Sequence, residues 1–214
     1  MRRFCYRGQY HDSAVLDFIP TKEAHIRSLL QSGKIYAATV FHFDYENLFV
    51  YYECADEELS PLDLLPGIEA YMKEWPGEAT KRWFVPMTDV YHSIQPEGDE
   101  MNHWRRKEHA TPKAAMSLMK MEKLSSYTFW HYQMQEEKPG HSGTYLSIWT
   151  SEHIALLYNE TPDHGIPNPH KGILDTNNTP EDWTALMIPH FNYRPDGELY
   201  HNAEIVLTLS EGDL

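Results

Sequence analysis

Three kinds of side chain in this sequence could do chemistry together, and the chain is rich in each: 13 histidines, 14 tyrosines and 6 tryptophans. A histidine of near-neutral pKa can give or take a proton. A tyrosine or aspartate holds hydroxyl groups, and a flat ring offers an apolar face. Trp83 and Trp183 stand one hundred positions apart and are candidate platforms. Asp89, between Thr88 and Val90, is a candidate hydroxyl ligand, and Tyr36 and Tyr127 align as a further pair. His103 and His201 each follow a glutamate by three positions. Positions three apart on a strand face opposite sides, so these are not dyads, but either histidine could face a pocket. His109 is a third candidate acid or base, by its position three residues before Pro112. His42 and His131 fall in two corresponding strands but out of phase by one.

Other chemistries lack their patterns. There is no HExxH, no CxxC and no two-His-carboxylate spacing, and His164 and His170 near Asp163 are scattered loop residues, so no metal is expected. No glycine-rich phosphate loop or G-x-S-x-G is present, and neither Cys5 nor Cys54 has a base nearby in sequence. The net charge of −14 disfavours nucleic acid and anionic membrane surfaces as partners. No apolar run is long enough for a signal peptide core or a membrane span, so a reducing cytoplasm is the expected location.

The elements that must position these residues follow from periodicity. Arg3–Tyr10 reads as a strand, Lys22–Gln31 as a helix capped by Thr21 and stopped at Gly33, and Ile35–Phe43 with Leu48–Cys54 as a hairpin about a turn at 44–47. Ile68–Trp75 and the stretch around Trp83 read as helical, and Met101–Ala110 as a strand. Beyond it, a helix is expected from Pro112 to Leu124, a strand over Tyr127–Gln135, one or two strands over Tyr145–Glu160 and a loop to Thr179. A helix then starts at Thr179-Pro180-Glu181-Asp182, and Glu198–Leu209 is the last strand. Trp83 and Met87 are echoed by Trp183 and Met187, and the following turn, acid and histidine recur, so the chain reads as two related halves. Each half has the order strand, helix, strand, strand, helix, strand. The expected fold is α+β: two ferredoxin-like (β-α-β-β-α-β) units forming a pseudo-dimeric α+β barrel, over residues 1–110 and 101–214 with a shared strand near 101–110.

Leu30-Gln31-Ser32-Gly33, Tyr36-Ala37, Asn47-Leu48-Phe49, Glu53 and, above all, Arg82-Trp83-Phe84 with Met87-Thr88-Asp89-Val90 resemble the L-rhamnose mutarotase family. The match covers roughly residues 1–110. The resemblance implies a cofactor-independent sugar isomerase whose pocket uses an aromatic pair, here Trp83 and Phe84, and a second-strand tyrosine, here Tyr36. The family's general-acid histidine precedes a proline at the first helix. Here that stretch is Phe18-Ile19-Pro20, with no histidine.

Anomer exchange needs one base on the anomeric hydroxyl and one acid at the ring oxygen. The expected catalytic residues are therefore His109, His103 and Asp89, and the expected sugar-binding residues Tyr36, Trp83, Phe84, Tyr127, Trp183 and His201. The expected partner is a small sugar, bound by a monomer with pseudo-dimeric halves or by a homodimer, with no cofactor. Two alternatives stand beside this: a non-catalytic carbohydrate-binding or regulatory protein of the same fold, and an α+β-barrel monooxygenase, haem-dependent or cofactor-free.

Overall fold

A computed structural model describes residues 1–43, 46–55, 57–77, 80–96, 101–139, 143–163 and 172–214. The side chain of His103, and His164 and His170, lie outside the described residues. In chain order the elements are β1 (Arg2–Gln9), α1 (Val15–Phe18), α2 (Glu23–Gln31), β2 (Ile35–Phe43), β3 (Asn47–Cys54), α3 (Pro61–Leu64), β4 (Phe84–Pro86), β5 (Thr88–His92) and α4 (Met101–Trp104). There follow β6 (Thr111–Met119), α5 (Leu124–Glu137), β7 (Ser147–Ser151), β8 (Ile154–Thr161), α6 (Trp183–Met187), β9 (Phe191–Asn192), β10 (His201–Asn202) and β11 (Glu204–Ser210). Among the described residues no helix is long and apolar enough to cross a membrane.

The chain forms two compact units, one of residues 1–87, 96–112 and 203–214, the other of residues 88–95 and 113–202. Each unit thus holds a strand that comes from the opposite half of the sequence: β11 in unit 1 and β5 in unit 2.

In unit 1 the sheet order is β11-β2-β3-β1-β4, and every neighbouring pair is antiparallel. β3 is buried along its whole length, as a central strand covered on both faces must be. The helix α2 lays Ile26 and Leu30, one turn apart, on that sheet. It ends at Gly33, whose φ of +72° suits a residue without a Cβ. Phe84 lies on β4 opposite Gly8 of β1, and a Cβ on Gly8 would sit 2.9 Å from the Phe84 ring and 2.5 Å from Met72 Cε. Gly8→Ala should therefore cost about 1–3 kcal/mol through overpacking, read as a lower denaturation midpoint with an unchanged m-value.

Beneath this sheet lies a buried charge network. The Glu53 carboxylate accepts hydrogen bonds from Tyr51 Oη (2.7 Å), Trp104 Nε1 (2.9 Å) and both terminal nitrogens of Arg106, and neither charged side chain is more than 1% exposed. Burial alone would raise the Glu53 pKa. The Arg106 guanidinium and the three sets of donors outweigh it and hold the carboxyl below its ordinary value.

In unit 2 the order is β10-β6-β8-β7-β5, with β9 also on β6. Tyr127, His131 and Met134 of α5 recur at helical spacing and face the core formed with Val90, Tyr91, Met119, Ile148, Met187 and Phe191.

Several elements differ from the sequence reading. The expected shared strand at 101–110 is the short helix α4 followed by residues without regular structure. Pro112–Leu124 is mainly the strand β6, because Pro112, Ala114 and Met116 alternate inward, a period of two that the Ala and Met content disguises. Tyr127–Gln135 is helix rather than strand, since its aromatics sit on several faces of α5 and only one face is buried. The Trp83 stretch leads into strand, not helix: Phe84 and its neighbours pair with β1, while Trp183 opens α6. The hundred-residue echo therefore joins residues in unlike conformations. The residue that occupies Phe84's place in unit 2, on the strand beside its first strand, is Phe191, paired with Met119. The α6 cap is Asp182, whose carboxylate accepts from Ala185 N–H at 2.9 Å, and not Thr179, which is engaged elsewhere.

Candidate functional site

Unit 2 contains a cavity of about 200 Å³ whose walls include Tyr127, His131, Ile148, Trp183, Met187 and Phe191, with Ser117 and Tyr200 among the polar groups on it. A second lobe of about 350 Å³ shares His131, Ile148, Leu157 and Trp183 with the first. Helix α5 sets the chemistry. Tyr127 and His131 are one turn apart on its buried face, so both project into the same space.

The His131 ring is fixed on all sides. Nδ1 lies 2.9 Å from the Tyr127 carbonyl, which can only accept, so Nδ1 carries the proton and Nε2 the lone pair. The ring meets Trp183 edge-on (5.0 Å between centroids, 90°), tilts against Tyr127 (4.1 Å) and meets Tyr91 edge-on (6.1 Å). Nε2 has no hydrogen-bond partner among the described residues. Burial pushes the imidazole pKa down to about 4. The Tyr127 carbonyl opposes that shift and nearby His190 adds to it. At neutral pH His131 is therefore an uncharged acceptor in an apolar cage.

His190 makes the contrast. It is equally buried, but its Nδ1 lies 3.0 Å from the Leu186 carbonyl and its Nε2 2.9 Å from Ser126 Oγ, so both nitrogens are satisfied. His190 is a structural histidine, whereas His131 Nε2 has no partner among the described residues. The Tyr127 hydroxyl likewise has no partner among the described residues, and burial, then the neighbouring Tyr200 hydroxyl, raises its pKa well above the usual phenol range. It stays protonated and can donate. The cavity thus offers one base, one donor and flat apolar walls.

The residues expected from sequence divide between the units. Tyr127 and Trp183 meet at this cavity. His201, on β10, accepts at Nδ1 from Arg194 Nη1 (3.0 Å); it adjoins Tyr200 in sequence but is not part of the cavity wall. Asp89 also does not reach the wall. A register shift between Asp89 and Tyr91 turns it toward His92, whose Nδ1 lies 3.0 Å from its carboxylate. In unit 1, Phe84 is a core residue against Gly8, and Trp83 packs on the same core. Tyr36 lies under the Arg105 guanidinium, 5.6 Å from its ring. His109 is exposed and ion-paired at 2.6 Å with Asp213. His131, expected on a strand, lies instead on helix α5. The signal that could have found it is the four-residue spacing from Tyr127 within a helix.

One loop borders the second lobe through Thr179 and Pro180. It is tied to α5 by the Glu137 carboxylate, which accepts from Asn178 N–H (2.7 Å), Thr179 N–H (2.7 Å), Gln133 Nε2 (2.6 Å) and the Thr176 and Thr179 hydroxyls. Desolvation would raise its pKa, but the donors, led by Asn178 N–H, hold it well below the carboxylate range. A depressed folded pKa means the tie is complete above the unfolded value, about 4.3, and weakens as pH falls through the folded one. Glu137→Gln should accelerate hydrogen exchange at the Asn178 and Thr179 amides at neutral pH while leaving the β2 and β3 amides unchanged. Equal exchange in both proteins would contradict this role.

Among the described residues no group of three or more His, Cys, Asp or Glu is arranged to hold a metal. No family model matches the chain, and no curated protein does. Two solved structures are similar to it. A "putative monooxygenase" from Lactobacillus acidophilus NCFM is 6% identical, with 98% of this chain and 96% of that one covered and a TM-score of 0.47. A "putative monooxygenase" from Fusobacterium nucleatum is 8% identical, with 99% and 95% covered and a TM-score of 0.49. At such scores the likeness carries no argument about this chain.

Proposed function

We propose that the protein is a cofactor-independent acid–base enzyme that binds a small, ring-bearing, largely apolar molecule in the cavity of unit 2, with His131 as general base and Tyr127 as hydrogen-bond donor. What carries this reading is the free Nε2 lone pair of a neutral histidine inside an aromatic cavity. Proton removal from a ring hydroxyl or an acidic ring CH₂ would leave an anion beside the new imidazolium, and that charge pair would raise the His131 pKa just when the proton arrives. Tyr127 would donate to the oxygen that gains charge. A carbanion of this kind can add dioxygen. Loss of water then turns the CH₂ into a carbonyl, with one oxygen atom in the product and the other in the water, which is the cofactor-free form of the monooxygenase alternative. The first lobe, at about 200 Å³, suits one or two fused rings.

The mutarotase reading is the second proposal. It is favoured by the meeting of Trp183, Tyr127 and His131 at one cavity, since ring faces and one proton carrier are what anomer exchange requires. Against it, no carboxylate among the described residues lines the first lobe, and a carboxylate is the group best suited to hold several sugar hydroxyls. In both readings each unit is a β-α-β-β-α-β element. The strand order β2-β3-β1-β4, and β7-β8-β6-β9 in unit 2, supports this.

Two assays separate the readings. 2-Indanone, a ketone with acidic ring CH₂ groups, is incubated in deuterated buffer under nitrogen and followed by NMR, and L-rhamnose, L-fucose and ribose are tested for anomer exchange by saturation transfer. Accelerated deuterium uptake by the ketone is the expected result. Exchange in a sugar without uptake by the ketone would favour the mutarotase.

A further inference from the structure

We propose that the second lobe of the unit 2 cavity reads a zwitterionic head group, so that the preferred ligand class is an aromatic ring on a short chain bearing one ammonium and one carboxylate, as in an aromatic α-amino acid. This inference rests on the reading of the cavity as a ring-binding site. The second lobe differs from the first in carrying two opposite charges, Lys138 and Glu181, beside Tyr91, Met134 and Leu146. Among the described residues, neither Lys138 nor Glu181 forms an ion pair or side-chain hydrogen bond, with the other or with anything else. Of the other polar groups at this wall, the Thr179 hydroxyl is committed, donating to the Glu137 carboxylate, while His131 belongs to the base already described.

Charge complementarity selects the ligand. A purely anionic ligand drawn to Lys138 would also meet Glu181, and a purely cationic one would meet Lys138. Lys138 is half-buried and Glu181 exposed at the rim of the lobe, and a like charge brought beside either is unfavourable. A ligand with both charges satisfies both side chains and leaves neither repelled. The shared wall supplies the remaining feature: Trp183 and His131 border both lobes, so the two charges stand at the lobe that adjoins the ring-binding one.

Trp183 gives the readout, through its fluorescence, with calorimetry as a second measure. The probes are L-tyrosine, tyramine (no carboxylate), 3-(4-hydroxyphenyl)propionate (no ammonium) and 4-ethylphenol (neither charge). L-Tyrosine should bind tightest, and each singly charged analogue about tenfold more weakly, the worth of one charge-assisted hydrogen bond. Lys138→Met should abolish the preference for L-tyrosine over tyramine while keeping that over the propionate, and Glu181→Gln should do the reverse. If 4-ethylphenol binds as tightly as L-tyrosine, and both variants bind all four alike, the head-group inference is overturned while ring binding stands. If none of the four binds, both the inference and the ring-binding reading are overturned.

Discussion

Glu53→Gln is expected to destabilise the protein by about 3–5 kcal/mol, because it leaves the Arg106 guanidinium buried without its counter-charge. Both side chains are almost wholly enclosed, and the carboxylate accepts from Tyr51, Trp104 and Arg106 at once. Water has little access to so enclosed a pair, so part of the desolvation cost of Arg106 is no longer offset. The double replacement Glu53→Leu with Arg106→Met should recover much of that loss, since apolar side chains of similar volume carry no such cost. The sign with pH follows from the lowered carboxyl pKa: the contribution is complete above the unfolded value of about 4.3 and disappears as pH falls through the folded one. Urea denaturation of the wild type and the two variants at pH 7 measures this. A cost below about 1 kcal/mol for Glu53→Gln, the range of an exposed pair, would contradict it.

His131→Ala is expected to lower the rate of proton abstraction by about 10²–10⁴-fold, the usual contribution of a positioned general base. The substitution also empties part of the cavity, so some loss of stability accompanies it. His131→Gln keeps most of the volume and should lose the rate with little change in stability. The wild-type rate should rise as pH climbs through about 4, where the imidazole gives up its proton, and then stay level through neutrality. Tyr127→Phe should cost less, because the ring remains and only the donor is lost. The 2-indanone exchange assay reads all three. A His131→Gln protein as active as the wild type would remove His131 from the mechanism.

The first half of the chain was legible because its local signals agree. Ile26, Leu29 and Leu30 with Gly33 mark one helix, and the β-branched and aromatic runs on either side of residues 44–47 mark the hairpin. The second half was misread where composition and context conflict. Thr111–Met119 contains good helix formers yet lies within a sheet, beside β8, and the aromatic segment of α5 is helical because Tyr127, His131 and Met134 find a core on one side. That exchange moved His131 from a strand to a helix and concealed its pairing with Tyr127. The Trp83 and Trp183 echo misled for a related reason. It is a similarity of letters between a stretch that enters a strand and one that opens a helix, whereas strand pairing makes Phe84 and Phe191 the corresponding residues. β11 overlaps the expected last strand Glu198–Leu209, but the exchange of β5 and β11 between the units could not be read, since pairing with the other half of the chain leaves no mark in local periodicity.

The most direct test of the site is the protonation state of His131. With ¹⁵N-labelled histidine, the two-bond proton–nitrogen correlations of its ring are followed from pH 3 to 8, with His131→Gln to assign the signal. The site as described predicts a neutral ring at pH 7, protonated on Nδ1, that titrates near pH 4 and whose Nε2 signal moves when a phenol is added. A ring protonated on Nε2 at pH 7 would mean that no free base faces the cavity, and one that titrates near the ordinary value of about 6.5 would mean that the imidazole is not held in the apolar cage described.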